Sequence, residues 1–147
     1  MSDRDSQESE ASAPGIPTHS NFSELIGFRL ISASAERVEA TLEVTEALMN
    51  RNNVLHGGAV MAFADHLGGT GAFYHMLPGD STVTIESKTN FLRAVSLGDT
   101  VTGVCVPLHA GRRTSVWQTT LTRRDGKVIA FVSQTHLHSG DLDFSTR

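Results

Sequence analysis

GGAVMAFADHLGGTGAFYHM, residues 57–76, decides the fold. Within it Val60, Phe63, Ala64, Leu67, Gly68 and Gly71 fall at i, i+3, i+4, i+7, i+8 and i+11, the spacing that lines one face of a helix. The pattern predicts one buried helix. It should end at Leu77-Pro78-Gly79, where the proline restricts the residue before it and the glycine favours a turn. Gly68, Gly69 and Gly71 each cost on the order of 1 kcal/mol relative to alanine inside a helix, so something is expected to pack very close to that backbone. On the N-terminal side the period changes to two. Residues 28–44 read as two short strands, the second with Val38, Ala40, Leu42 and Val44 on one face and Arg37, Glu39, Thr41 and Glu43 on the other. After the helix, residues 82–92, 100–108, 114–123 and 128–138 are rich in Val, Thr, Ile and Phe and read as four strands. The latter three are joined by hairpin connections at 108–112 and 124–127, of which Asp125-Gly126 is the stronger turn signal. One long apolar helix between runs of antiparallel strands implies an α+β domain whose sheet wraps the helix.

The chain of 147 residues is long enough for one ordinary domain and short for two. Residues 1–19, rich in Ser, Asp, Glu and Pro, read as a disordered acidic tail, 20–139 as the domain and 140–147 as a C-terminal tail. Of the formal charge of −4, the acids Asp3, Asp5, Glu8 and Glu10 against Arg4 leave about −1 for the body. A near-neutral body lacks the basic face that nucleic acid binding requires. Cys105 is the single cysteine, so no intrachain disulfide framework or cysteine-rich zinc site is available, and a reducing compartment is expected. Neither a signal peptide nor a run of about 18 apolar residues is present, so the expectation is a cytoplasmic protein without a membrane partner.

The chemistry concentrates in Asn50-Arg51-Asn52-Asn53-Val54-Leu55-His56-Gly57-Gly58 and in Asp65 on the helix that follows. Gly57 and Gly58 stand where the helix begins, so their amides would point outward and favour an anion or a carbonyl oxygen becoming one. The same glycines would equally serve a plain tight turn into the helix. Asp65 is flanked by Phe63, Ala64 and Leu67, where an unpaired carboxylate is costly; a solvated helix face is the alternative. Eight residues of helix separate Gly57 from Asp65, a rise of about 12 Å. A single carbonyl group cannot touch both, so cooperation between them would require two chains related by a two-fold axis.

These residues carry a resemblance. Asn50, His56-Gly57-Gly58 and Asp65, with an amide six places before His-Gly-Gly and an acid nine places after the histidine, resemble the hotdog-fold acyl-CoA thioesterase superfamily. The similar branch is that of the PaaI-type phenylacetate-pathway and 4-hydroxybenzoyl-CoA enzymes. The resemblance spans about residues 22–139, and Val104 to Arg112 is similar to the strand and turn of the enterobactin-pathway thioesterase. It implies a helix wrapped by an antiparallel sheet, a homodimer with active sites at the interface, and in some cases a dimer of dimers. It also implies hydrolysis of an aromatic or medium-chain acyl-CoA to free acid and CoA, with no cofactor beyond the CoA of the substrate. By similarity the Gly57 amide polarises the thioester carbonyl, Gly58 lies beside it, Asn50 places the carbonyl or the water, and His56 supports the loop. Asp65 of the other chain is then the general base or the nucleophile. Asn53 stands where many relatives have glycine, and Gly69 where some have a water-orienting Ser or Thr. Thr84 aligns with a serine that plays that part elsewhere, with Thr70 as a substitute; a core or sheet-surface threonine is the plainer role for both.

Arg93, Arg112 and Arg113 are candidates for the CoA phosphates, although surface arginines usually have no such duty. His136 and His138 share one side of a strand, and without a third ligand they make no metal site; partial exposure is expected of both. Cys105 is expected to serve packing. A Gly-x-Ser-x-Gly motif is missing, which excludes an α/β-hydrolase. Two alternatives remain beside the thioesterase: a hotdog module that binds acyl-CoA without cleaving it, and a hotdog hydratase or dehydratase. The latter needs a catalytic histidine, and His66 points about 100° away from Asp65.

Overall fold

The computed structural model describes residues 20–142; the tail expected over 1–19 and residues 143–147 lie outside them. Six strands form one sheet, β1 (Phe28–Ala33), β2 (Val38–Glu43), β3 (Ser81–Phe91), β4 (Thr100–Ala110), β5 (Thr114–Arg123) and β6 (Val128–Ser139). Their spatial order is β1-β2-β4-β5-β6-β3, with every neighbouring pair antiparallel. The long helix α2 (Gly57–His75) lies across one face and touches every strand. This is the α+β hotdog fold. A short helix α1 (Asn21–Ile26) precedes β1, closed by a Ser20/Ser23 capping box and a left-handed Gly27 at φ 89°.

The apolar stripe of α2 is buried as its spacing predicts: Val60, Phe63, Ala64, Leu67, Gly68 and Gly71 all face the sheet. Phe63 and Leu67 are fully enclosed, each worth about 1.5–3 kcal/mol relative to exposure. The close packing expected of the helix glycines is found at two of the three. A Cβ on Gly71 would stand 2.6 Å from the buried Trp117 ring and one on Gly68 would meet Gln134, whereas Gly69 faces open space. Cys105 is buried in β4, and burial pushes its thiol up to about 11 against the opposing Thr119 contact, so it is inert packing.

The turn expected over 108–112 lies later: Leu108 and His109 belong to β4, whose register shifts between Pro107 and His109. A bulge absorbs the extra residue and lets the strand run on. The position of β3 matters most for the site. Among the described residues it is an edge strand of eleven residues, paired with β6 alone, and it carries Ile85 and Phe91 at 57% and 55% exposure.

Candidate active site

The loop before α2 is fixed by its own side chains. Asn50 Oδ1 accepts the amides of Asn52 (2.8 Å) and Val54 (3.3 Å), and the Asn53 amide donates to the Asn50 carbonyl at 3.1 Å. These bonds bend the chain so that Asn53 takes a left-handed φ of 58°. That conformation suits Asn and Gly, which accounts for an asparagine where relatives have glycine. Its oxygen is engaged, and its side-chain NH₂ donates no hydrogen bond among the described residues.

His56 is the N-cap of α2, and its Nδ1 accepts the Gly58 amide at 2.8 Å. This corrects the expectation for Gly58: its amide is consumed by the cap and is not presented to a substrate. The bond also defines the ring, since an accepting Nδ1 puts the proton of neutral His56 on Nε2. The Gly57 amide, in contrast, has no hydrogen-bond partner among the described residues. Gly57 and Asn50 border one cavity of about 330 Å³ whose wall includes Val60, Phe91, Val95 and Ile129. Two candidate donors thus border a recess whose lining mixes polar and apolar groups. Arg93 also borders it, with Nη1 tied to the Val128 carbonyl at 2.6 Å.

Asp65 projects from the outer flank of α2 toward the β3 edge and is exposed. Its carboxylate is nevertheless held: Oδ1 accepts from Thr84 Oγ1 at 3.0 Å and from Gln134 Nε2 at 2.7 Å. No bond to Oδ2 is formed among the described residues. Thr84, on β3, therefore touches Asp65. Thr70 does not, because its hydroxyl donates back to the His66 carbonyl at 2.7 Å.

Behind these contacts β6 turns three polar side chains inward, Gln134, His136 and His138, all at most 2% exposed. The partial exposure expected of the two histidines is thereby overturned: they alternate with the outward residues of β6 and lie under α2. Their Gln neighbour had no part in the sequence reading, because its partner Asp65 is 69 residues away. Burial lowers the pKa of His136, with the Asp65 charge opposing and His138 assisting. Burial also lowers that of His138, with His75 assisting and Asp80 opposing. His138 Nε2 lies 2.7 Å from Ser115 Oγ, which accepts the Trp117 indole N–H at 2.8 Å.

Arg112 and Arg113 are not gathered with Asn50 and Gly57. They border a separate cavity of about 380 Å³ with Leu77, Asp80 and His138, beyond the C-terminal end of α2. Among the described residues no three His, Cys, Asp or Glu side chains form a metal site, and no helix is long and apolar enough to cross a membrane.

The profile of the thioesterase superfamily matches residues 52–130. The proofreading thioesterase EntH of Cronobacter turicensis is 33% identical over 71% of this chain and 75% of its own length. A 1,4-dihydroxy-2-naphthoyl-CoA hydrolase of Listeria monocytogenes is 29% identical over 72% of this chain and 85% of its own. Among solved structures, a conserved protein of Pseudomonas aeruginosa superposes with a TM-score of 0.77 at 33% identity, covering 83% of this chain and 96% of that one.

Proposed function

Because the chain belongs to the thioesterase superfamily, we propose that it hydrolyses acyl-CoA thioesters, with Asp65 as general base, at sites shared between two copies of the chain. The reaction class, thioester hydrolysis, comes with the family; the residues and the substrate are the proposal.

In this reading the thioester carbonyl enters the recess at the N-terminus of α2 and accepts from the Gly57 amide and the Asn50 side-chain amide. Asp65 Oδ2 takes a proton from water as the water oxygen bonds to the carbonyl carbon. The resulting oxyanion is held by the same two donors. Collapse breaks the C–S bond, and CoA leaves as the thiol after receiving the proton from Asp65. The sequence of steps needs no cofactor besides the CoA of the substrate.

The observation that carries the proposal is the Asp65 carboxylate, fixed at Oδ1 by Gln134 and Thr84 with Oδ2 left open. Gly57 lies about 12 Å along the same helix, so the second copy must supply one of the two groups. Edge strand β3, with exposed Ile85 and Phe91, and the outer flank of α2 with Met61 and Asp65 supply the surface for that copy. The naphthoyl-CoA hydrolase among the relatives and the side chains of Val60, Phe91, Val95 and Ile129 at the recess favour an aromatic or medium-chain acyl group. The guanidiniums of Arg112 and Arg113 at the far end of α2, with no ion pair among the described residues, suit the CoA phosphates.

The test is CoA release from a panel of aryl- and fatty-acyl-CoAs, with wild type beside Asp65→Asn and the mass measured by sedimentation. Saturable turnover that falls at least about a hundredfold in the variant, from a dimer or a dimer of dimers, is expected. Tight binding without turnover by either protein would replace the enzyme with an acyl-CoA-binding module.

A further inference from the structure

We propose that Gln134 and His136 are positioning residues for the hydrolysis, Gln134 directly and His136 through Thr84, which pin Oδ1 of Asp65 so that Oδ2 takes the proton. The inference rests on the reading of Asp65 as general base.

Gln134 and His136 are each 1% exposed on the inward face of β6, where an apolar side chain would pack at lower cost. An ionised carboxylate only accepts, so the 2.7 Å contact fixes the Gln134 NH₂ toward Asp65. Its Oε1 must then face the backbone of α2, and it does so at Gly68, where a Cβ would lie 2.1 Å away. The missing side chain of Gly68 is the space the amide occupies. Oε1 and His136 Nε2 have no partner among the described residues. A pair of buried acceptors left unmatched is a poor arrangement for stability, and it is the one that aims both donors toward Asp65.

The second arm runs through Thr84. Its hydroxyl proton is committed to Asp65 Oδ1, so the His136 Nδ1 at 3.4 Å faces a lone pair of Oγ1 and must carry the proton in that contact. The tautomer so defined leaves Nε2 as the unmatched acceptor noted above. Thr84 and His136 are register partners across β3 and β6, and the ladder slips by one residue immediately after Thr84. The strand thereby sets the hydroxyl between imidazole and carboxylate. Asp65 and His138 are the charged or titratable neighbours felt by His136, and its depressed pKa keeps it neutral at neutral pH, which agrees with a single-donor role.

The experiment measures kcat, KM and melting temperature for Gln134→Met, His136→Leu and His136→Asn beside Asp65→Asn. The Met variant keeps the length and removes the donor; the Asn variant puts an amide N–H where Nδ1 stood. Expected are a kcat at least tenfold lower for Gln134→Met and threefold lower for His136→Leu, KM within twofold, and recovery to within twofold of wild type in His136→Asn. Adding His136→Leu to Thr84→Val, a pair at the sheet edge, should bring no further loss of kcat. Wild-type kcat in Gln134→Met and His136→Leu, with Asp65→Asn inactive, overturns the inference and leaves the base intact. Losses that follow melting temperature instead of donor content, or an additive double variant, also overturn it. Full activity in Asp65→Asn removes the base reading itself.

Discussion

Replacing Gly57 by proline removes one N–H and puts a ring methylene in its place. Gly57 is the first residue of α2, the helix position where proline is at home because its missing donor would find no intrahelical acceptor. His56 before it has φ −64° and ψ 133°, close to the polyproline II backbone that a residue before proline can adopt. The new Cβ would meet Phe91 Cε1 and Cζ at 3.3 Å, a contact that a shift of the ring by a few tenths of an ångström relieves. Gly57→Ala meets the same ring and keeps the amide, so the two variants differ in the donor and in the ring carbons that replace it. Loss of one oxyanion donor costs about 2.7–4 kcal/mol in other enzymes, or roughly 10²–10³ in kcat. Folding should not suffer, since proline at a compatible site gains about 0.4–1 kcal/mol from the unfolded chain. The assay is steady-state release of thiol from the preferred acyl-CoA, alongside thermal melts. A folded Gly57→Pro protein with kcat within threefold of Gly57→Ala would refute the assignment of this amide to the carbonyl oxygen.

Gly71→Ala should destabilise without touching the chemistry directly: the new methyl falls 2.6–2.9 Å from three atoms of the fully buried Trp117 ring. Overpacking of that kind costs about 1–3 kcal/mol, read as a drop of several degrees in melting temperature; an unchanged melt would disprove the clash. The depressed pKa values of His136 and His138 carry a pH dependence of fixed sign. The unfolded chain takes up these protons near its ordinary value of about 6.5 and the folded chain only lower. Their contribution is therefore complete above about 6.5 and shrinks as pH falls below it toward the folded values. Urea midpoints at pH 7.5 and pH 5 should differ more in wild type than in the double variant His136→Asn/His138→Asn, and an equal difference would count against the shifts.

The helix and β2 were legible because each is a single repeating pattern, 3.6 along residues 57–76 and two along β2, and the later strands by their Val, Thr, Ile and Phe and the turn at Asp125-Gly126. Asn50, Gly57 and Asp65 were legible as a spacing. What resisted reading depends on residues far apart in the chain. Gln134, His136 and His138 keep the period of β6, yet their polarity argues for the outer face, and only Asp65, Thr84 and Ser115 explain their burial. Gly58 misled because the acceptor that consumes its amide is the histidine two residues before it, a cap visible only once the ring orientation is known. Helix α1 escaped because six residues hold too few turns to show a period, and Ser23 is its one buried side chain.

Gly57 and Asp65 are mounted on one uninterrupted helix, which makes α2 a ruler. Inserting or deleting one residue between them would turn the carboxylate by about 100° and slide it about 1.5 Å, taking it off Gln134 and Thr84 at once. Point substitutions can retune this segment, but its length is frozen. Changes of length are confined to the connections, of which the one between β3 and β4 supplies Leu92, Arg93, Ala94 and Val95 to the recess. The reach of the recess can be redrawn there while the seat of Asp65 on Gln134 and Thr84 is kept.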